Sequence, residues 1–504
     1  MRVRRTLSVI VVLLTAVLLA ACSRPTPLPT GDGPDPRVLE IGATGEPVGM
    51  DMITVDGAGI PFVLLYNVYE TLVKLDPDKN VQPLLATDWE ISADRLTYTF
   101  TIDRAARFAD GTPVDAEAVV HSFQRIIDGE GTGQILADFA PLTEARATGE
   151  RTVELELATP SNYFLLALTP PAGSVANPEA SVASLNTTPA GSGPYVLGDW
   201  EPGSLVQLTR NTEYWGTPSH FDVVNFRYYA DPNAMNTAML SGQLDIVSNL
   251  TVPTALGQFE SDERFEVLQG YSDGEVVLTY NHANEALANQ QVRQALNLAV
   301  DRQAIVDAAW GGQGELIGSM VPPTDAWYED LSDVYPHDPE RARELLAEAG
   351  YESGLTFRLR VPTLPYAPPA ARSIQSQLRA VGVETVIEEL EFGVWLEQIF
   401  AFQDYDMTIV AHVEPRDLKM YAMDGNYMNY ENPEFTALIE AADRGNDDEF
   451  VQLQSEAARV LAEDAAANWL FLLPNIIITT ADISGVQVDQ TSLSFDVTTI
   501  ASSE

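Results

Sequence analysis

Among 504 residues there is one cysteine, Cys22, and it stands where an apolar run ends. A chain with a single thiol builds no disulfide framework, so apolar packing alone must hold it together. The position of that thiol says more. Arg2, Arg4 and Arg5 make a positive start, and Leu7 to Ala21 is apolar apart from Ser8 and Thr15. This run is short for a transmembrane helix, and its flanks are those of a secretory signal. It closes on Leu19-Ala20-Ala21-Cys22, whose small residues suit a signal peptidase and which together look like a bacterial lipobox. Residues 1–21 are therefore expected to be a signal peptide, with Cys22 lipidated as the mature N-terminus. An ordinary signal peptide with an incidental cysteine is the alternative. Residues 22–36 carry five prolines and two glycines in a polar run and are expected to form an extended tether.

The chain from residue 37 onward is too long for one hydrophobic core, so two or three domains are expected. Its apolar content, 45%, is ordinary for a globular protein. Its net charge of −45 is not. Such a surface repels nucleic acid and anionic headgroups, so no nucleic-acid partner is expected. Lysine occurs only at positions 74, 79 and 419, and arginine supplies nearly all the cationic charge. This reads as a compositional bias with a strongly solvated acidic surface.

Local patterns place the elements. Leu39–Ala43, Thr97–Ile102 and Val153–Leu157 alternate as strands, and Pro61–Tyr69 reads as a helix. Asp115 is placed to cap a helix whose apolar face is Val119, Val120, Phe123 and Ile126. In the second half, amphipathic helices alternate with short strands. Gln290–Trp310 reads as one helix. Asp338 caps the next, with Pro339 at its first position and Gly350 just past its end. Then come a helix over Ala370–Val381, a strand over Val383–Leu390, a helix around Trp395 and a strand over Asp406–Val410. This β-α-β order implies an α/β fold. Helices over Pro433–Asp443 and Asp448–Ala467 follow, then an apolar strand over Trp469–Thr480.

Several chemistries lack their residues. The five histidines, His121, His220, His282, His337 and His412, are far apart in sequence and form no helical zinc pair. There is no Gly-x-Ser-x-Gly elbow. The glycine-rich stretch Pro189–Pro194 leads into a strand without Gly-Lys-Ser/Thr, so it reads as a tight turn and not a phosphate loop. No catalytic residue, cofactor or metal is expected. An acidic-residue hydrolase is the one enzyme class left open, because 73 acidic residues make chance carboxylate pairs inevitable.

An ordered set of short motifs resembles the large extracytoplasmic solute-binding proteins of ABC importers, the family that includes peptide and nickel binders. The set begins with Asn67-Val68-Tyr69-Glu70-Thr71-Leu72, Pro83–Glu90, Leu96–Phe100 and Phe108–Ala118. It continues through Gly191-Ser192-Gly193-Pro194-Tyr195, Arg210-Asn211 with Tyr214-Trp215, and Gly242–Asp245. Val292–Leu296 with Asp301-Arg302, Ala342–Gly350, Tyr405-Asp406 and Asn432-Pro433-Glu434 complete it. Most of these residues read as architectural, Arg293 and Asp301-Arg302 as structural ion pairs. The resemblance implies an α/β, periplasmic-binding-protein-like fold of cluster C type: two hinged lobes and a smaller third subdomain. Residues 37–65, 188–275 and 475–504 are expected to form the core of lobe I, 66–187 its subdomain, and 276–474 lobe II. It implies a monomeric, non-enzymatic protein that captures a small molecule or peptide and delivers it to ABC permease subunits in the membrane. Its place would be the extracytoplasmic face, held by the lipid anchor.

An oligopeptide is the first expectation for the ligand. Many peptide binders carry an Asp-Pro loop after the Tyr-Asp strand, with an acidic residue that pairs with the peptide amino group. Here the segment is Ala411–Asp417, where Glu414 or Asp417 would take that role. No arginine stands beside Tyr366 to pair with a peptide carboxylate. Oligosaccharides, nickel chelates and other metabolites therefore remain open. Trp395, Tyr366 and Tyr430 are available to a glycan and His412 to a metal chelate. The loop His412–Asp417, with Trp395, is expected to line the cleft on the second lobe, opposite the Glu46 loop on the first.

Overall fold

The computed structural model describes residues 36–55, 57–413 and 416–503, and Val38 onward forms one unit. The expected signal peptide and nearly all of the tether, Cys22 included, lie outside the described residues.

The first half of the chain begins with β1 (Val38–Ala43), then a hairpin of β2 (Val73–Leu75) and β3 (Val81–Pro83). An antiparallel sheet follows, built from β4 (Ala86–Ile91), β5 (Thr97–Ile102), β6 (Leu142–Ala147) and β7 (Thr152–Leu157) in the order β4-β5-β7-β6. The Ala116–Ile127 helix, capped by the Asp115 side chain on the Ala118 amide, buries Val119, Phe123 and Ile126 in the same core as Phe100 and Leu155. Next come β8 (Tyr195–Glu201), β9 (Leu205–Arg210), β10 (Val223–Tyr228) and β11 (Ile246–Val247).

The second half adds β12 (Phe265–Tyr280), β13 (Leu355–Pro362), β14 (Val383–Leu390), β15 (Met407–His412) and β16 (Ala467–Thr480). A ten-stranded mixed sheet runs β14-β13-β15-β12-β16-β11-β1-β10-β9-β8. Its two halves meet at the long antiparallel pair β12 and β16. β16 joins β11 through Ile478 and Thr479, whereas β12 joins β15 through Glu275–Tyr280. The pair is itself broken in the middle. Register is kept from Phe265↔Thr480 to Tyr271↔Pro474, lost, and resumed at Glu275↔Leu472. Pro474 has no amide to donate and sits at this break, the one kind of place a central strand tolerates proline. Elsewhere β16 is the near-continuous apolar run expected of a strand covered on both faces.

The sequence motifs converge on one buried carboxylate. Glu70 accepts hydrogen bonds from Ser192 Oγ at 2.7 Å, Tyr214 OH at 2.7 Å and Trp215 Nε1 at 2.9 Å. The glycines flanking Ser192 are there for close approach. A Cβ on Gly191 would lie 1.9 Å from the Val68 carbonyl oxygen, and one on Gly193 would lie 2.6 Å from that of Asn67. The glycine-rich stretch is thus a turn clamped onto Asn67–Glu70.

Three expected helices differ in extent. Gln290–Trp310 is two helices, Gln290–Ala299 and Arg302–Trp310, because Val300 is extended and the Asp301 side chain caps the Ala304 amide. The Pro61–Tyr69 helix is confined to Gly59–Leu64, and Tyr66 then takes φ +65°. The Asp448–Ala467 helix runs instead over Asp447–Glu463, and Ala467 already begins β16. Arg293 is a structural ion pair as expected, 3.1 Å from Asp464. Arg302 instead donates to the carbonyls of Ile317 and Trp469.

Burial raises the Glu70 carboxyl, the three hydrogen bonds oppose this, and the net result is a value of about 7. The folded state therefore holds this proton more tightly than the unfolded chain. The associated stability is fully present below the ordinary glutamate value and is lost as pH rises through about 7. A shift of this size corresponds to about 3 kcal/mol. Urea unfolding between pH 5 and 8 should show wild type losing stability relative to Glu70→Gln as pH rises; parallel profiles would contradict the assignment.

Candidate functional site

A cleft of about 1350 Å³, open mouth included, lies among the described residues. Met52, Val55, Gly57, Ala58 and Pro61, after β1, form one wall, with Thr491–Leu493 from the C-terminal segment. Thr132–Asp138 and Tyr163–Ala172, which flank the four-stranded sheet, form another. The second half of the chain contributes Arg416–Met423, the segment that follows β15. Brought together are three methionines (Met52, Met420, Met423), aliphatic side chains, prolines, and a few polar groups. This mixture of apolar walls and sparse polar points is that of a small-molecule site.

Several contacts join the two halves of the chain beside the cleft. Ser161 Oγ donates to Asp443 at 2.7 Å, Asn162 Nδ2 to the Ala442 carbonyl at 2.6 Å, and Arg95 binds both Asn162 and the Gly445 carbonyl. Lys419 Nζ lies 2.5 Å from Asp138. Lys79, in the turn between β2 and β3, reaches Asp273 at 2.9 Å and Asp325 at 2.7 Å. Asp273 lies within the break between β12 and β16. Burial works against the Lys79 charge, but Asp325 and Asp273 outweigh it and raise the lysine above its ordinary value.

Behind the cleft the polar groups are deeply buried. Burial, reinforced by Asp417 and Asp273, pushes the Glu275 carboxyl well above the ordinary range. Burial drives His412 down to about 4, so its ring is neutral at physiological pH. The 3.5 Å approach of His412 Nδ1 to Asp417 is therefore a contact of a dipole with a carboxylate, not an ion pair. His412 Nε2 meets Tyr427 OH at 2.9 Å.

The model of the bacterial extracellular solute-binding proteins, family 5, matches residues 80–431. The chain belongs to this family. It is 28% identical over 462 residues to the "probable D,D-dipeptide-binding periplasmic protein DdpA" of Escherichia coli K12, covering 86% of this chain and 88% of that one. Among solved structures, DppA of Helicobacter pylori in complex with peptide STSA superposes with a TM-score of 0.81 at 21% identity, covering 93% of this chain and 98% of that one. The binding protein AgaA of A. tumefaciens R10 in complex with agropinic acid superposes with a TM-score of 0.80 at 23% identity, covering 93% and 99%. The superpositions show the fold, the cluster C periplasmic-binding-protein type, and membership of the family gives the role, solute binding for an ABC importer.

Of the site residues expected in this family 5 protein, Asp417 lines the cleft. His412 sits one layer behind it, buried against Tyr427. Trp395 is not a cleft residue: it is 2% exposed, its Nε1 donates to Thr408 Oγ1 at 2.9 Å, and it stacks on Phe392 in the core. Tyr430 is likewise core, packed on Phe435 and His282, with its hydroxyl accepting from Asn432. Glu46 faces away from the cleft lining and pins the turn between β8 and β9, accepting from the Gly203 amide at 2.8 Å. Glu414 lies outside the described residues, as does Cys22, the expected lipidation site. Large aromatic side chains were expected at the ligand, but packing drew them into the core, where each buries more area.

Arg416, within the expected loop His412–Asp417, lines the cleft, and Lys419, Asp138 and Tyr163 line it without having been expected there. The scarcity of lysine was the available signal: of three lysines in the chain, Lys79 and Lys419 both bridge the two halves. Lys79→Ala would leave two buried carboxylates without their cation, at a cost of about 3–5 kcal/mol. Lys419→Ala, at a partly exposed pair, should cost about 1 kcal/mol or less. Urea unfolding of the two variants checks this, and equal losses would contradict it.

Proposed function

We propose that this family 5 protein captures a short oligopeptide in the cleft and presents it, chemically unchanged, to its permease. The observation that supports this most is the cleft itself, walled by both halves of the chain and bridged by Lys79, Lys419 and Asn162. In this reading residues 37–65, 188–275 and 475–504 make lobe I, 66–187 its subdomain and 276–474 lobe II. The break in the ladder between β12 and β16 is the hinge. Closure then presents the permease with a shape that the open form lacks. Aliphatic and methionine side chains suit peptide side chains. Among the described residues Tyr163 is the one large aromatic in the lining, which disfavours a glycan because sugars stack on aromatic platforms. Cys22 carries the lipid that holds this monomer at the outer face of the membrane.

Native mass spectrometry of the protein purified without denaturation should show a retained adduct with a peptide mass. A sugar or metal-chelate mass in its place would refute the peptide reading. Incubation should return the same compound intact, and steady turnover would refute the non-enzymatic reading. Cys22→Ala should release the protein from the membrane fraction as a soluble or unprocessed form. Recovery of that variant with membranes as mature lipoprotein would overturn the anchor.

A further inference from the structure

Arg416 enters the cleft with an unanswered guanidinium. It stands at φ +62°, in the left-handed region that few arginines adopt. Its Nε is buried and has no hydrogen-bond partner. Among the described residues no ion pair or hydrogen bond reaches this side chain. Asp325 and Asp273 are the carboxylates that face it, with the Tyr163 and Tyr66 hydroxyls near by. Both carboxylates already hold the Lys79 ammonium, at 2.7 and 2.9 Å. The other cation lining the cleft, Lys419, is engaged with Asp138. Buried arginine donors without partners are costly, and proteins rarely leave them so unless something else completes them.

Resting on the peptide reading above, we propose that Arg416 receives a carboxylate of the ligand, whose apolar body lies against Met52, Leu166, Met420 and Met423. A planar guanidinium fork matches a carboxylate through two parallel N–H···O bonds. The closed cleft excludes water, which strengthens that pairing. The flanking surface is aliphatic and sulfur-rich, so the body of the ligand is apolar and not hydroxylated. Methionine adapts its shape, so the site would accept several aliphatic side chains. The proximity of Asp417 offers a rival arrangement, in which the ligand is held mainly by an ammonium group.

Calorimetry on the mature chain with four probes separates these arrangements: leucyl-leucine, leucyl-leucine amide, N-acetyl-leucyl-leucine and 4-methylpentanoate. For wild type, amidation should weaken binding on the order of 10- to 100-fold, and acetylation should matter less. Arg416→Gln should bind leucyl-leucine about as weakly as wild type binds the amide, losing most of the acid–amide difference, while Arg416→Lys should recover part of the loss. Equal binding of acid and amide by wild type, which needs no variant, overturns the proposal. So does an acid–amide difference that survives Arg416→Gln, a loss on acetylation greater than on amidation, or failure of every carboxylate probe to bind. If 4-methylpentanoate binds through Arg416 and both free-acid peptides do not, the anchor stands and the peptide reading falls.

Discussion

The pairing of β12 with β16 is the contact on which everything else in the molecule depends. One end of β16 carries β11 and, through it, the first half of the sheet; the other end of β12 carries β15 and the second half. A ladder of backbone hydrogen bonds resists bending as long as it is continuous. Here it is interrupted between Tyr271 and Glu275, opposite Pro474 and Leu472. Ser272 Oγ takes over part of the missing pattern, donating to the Leu473 carbonyl and accepting from the Gly274 amide. The break thus keeps part of its backbone hydrogen bonding through Ser272 while relaxing the register. On the hinge reading proposed above, that combination would let the two halves share a sheet without being locked as one.

Charge controls what that freedom can be used for. A chain of net charge −45 repels itself, and bringing two acidic halves together across a cleft raises that repulsion. The counter-measure is local and buried. Lys79 crosses from the β2–β3 turn to a carboxylate in the ladder break and to another in Asp325, so one cation ties three parts of the chain. Pairs this deep are little screened by salt, whereas the surface pairs around Arg146 or Arg341 are. The acidic surface keeps the protein solvated, and a few buried cations set the geometry of closure.

The fold was legible in the sequence because its signals are periodic or tied to backbone limits. Asp115 and Asp338 cap helices where their spacing said they would, with Pro339 in first position. Boundaries failed where two rules competed. The apolar face from Gln290 to Trp310 continues through Val300 and Asp301, and only the capping preference of Asp301 marks the stop. The site was less legible. Trp395 and Tyr430 have the chemistry of ligand platforms and equally that of core fillers, and no local pattern distinguishes the two. Arg416 and Lys419 stand in a loop whose direction depends on contacts far away in sequence. Glu46 looked like a cleft residue beside β1 but closes a turn in β8–β9.

The motifs that mark the family and the residues that touch the ligand occupy different places. Asn67–Leu72, Gly191–Tyr195 and Tyr214-Trp215 meet at the Glu70 carboxylate, where no ligand is needed to explain them. The requirement there is steric and electrostatic: glycine against a carbonyl, three donors around one buried acid. A change at any member leaves a buried group unpaired or a backbone contact violated, so the group resists variation as a unit. The cleft obeys no such constraint. Its lining comes from loops and helix ends, held by the frame but free to change side chains without unbalancing it. This separation explains how one fold accommodates the STSA peptide in DppA and agropinic acid in AgaA. On the reading proposed above, the specificity of this chain lies in the loop Arg416–Met423 and in Met52, Val55 and Pro61, residues outside the family motifs.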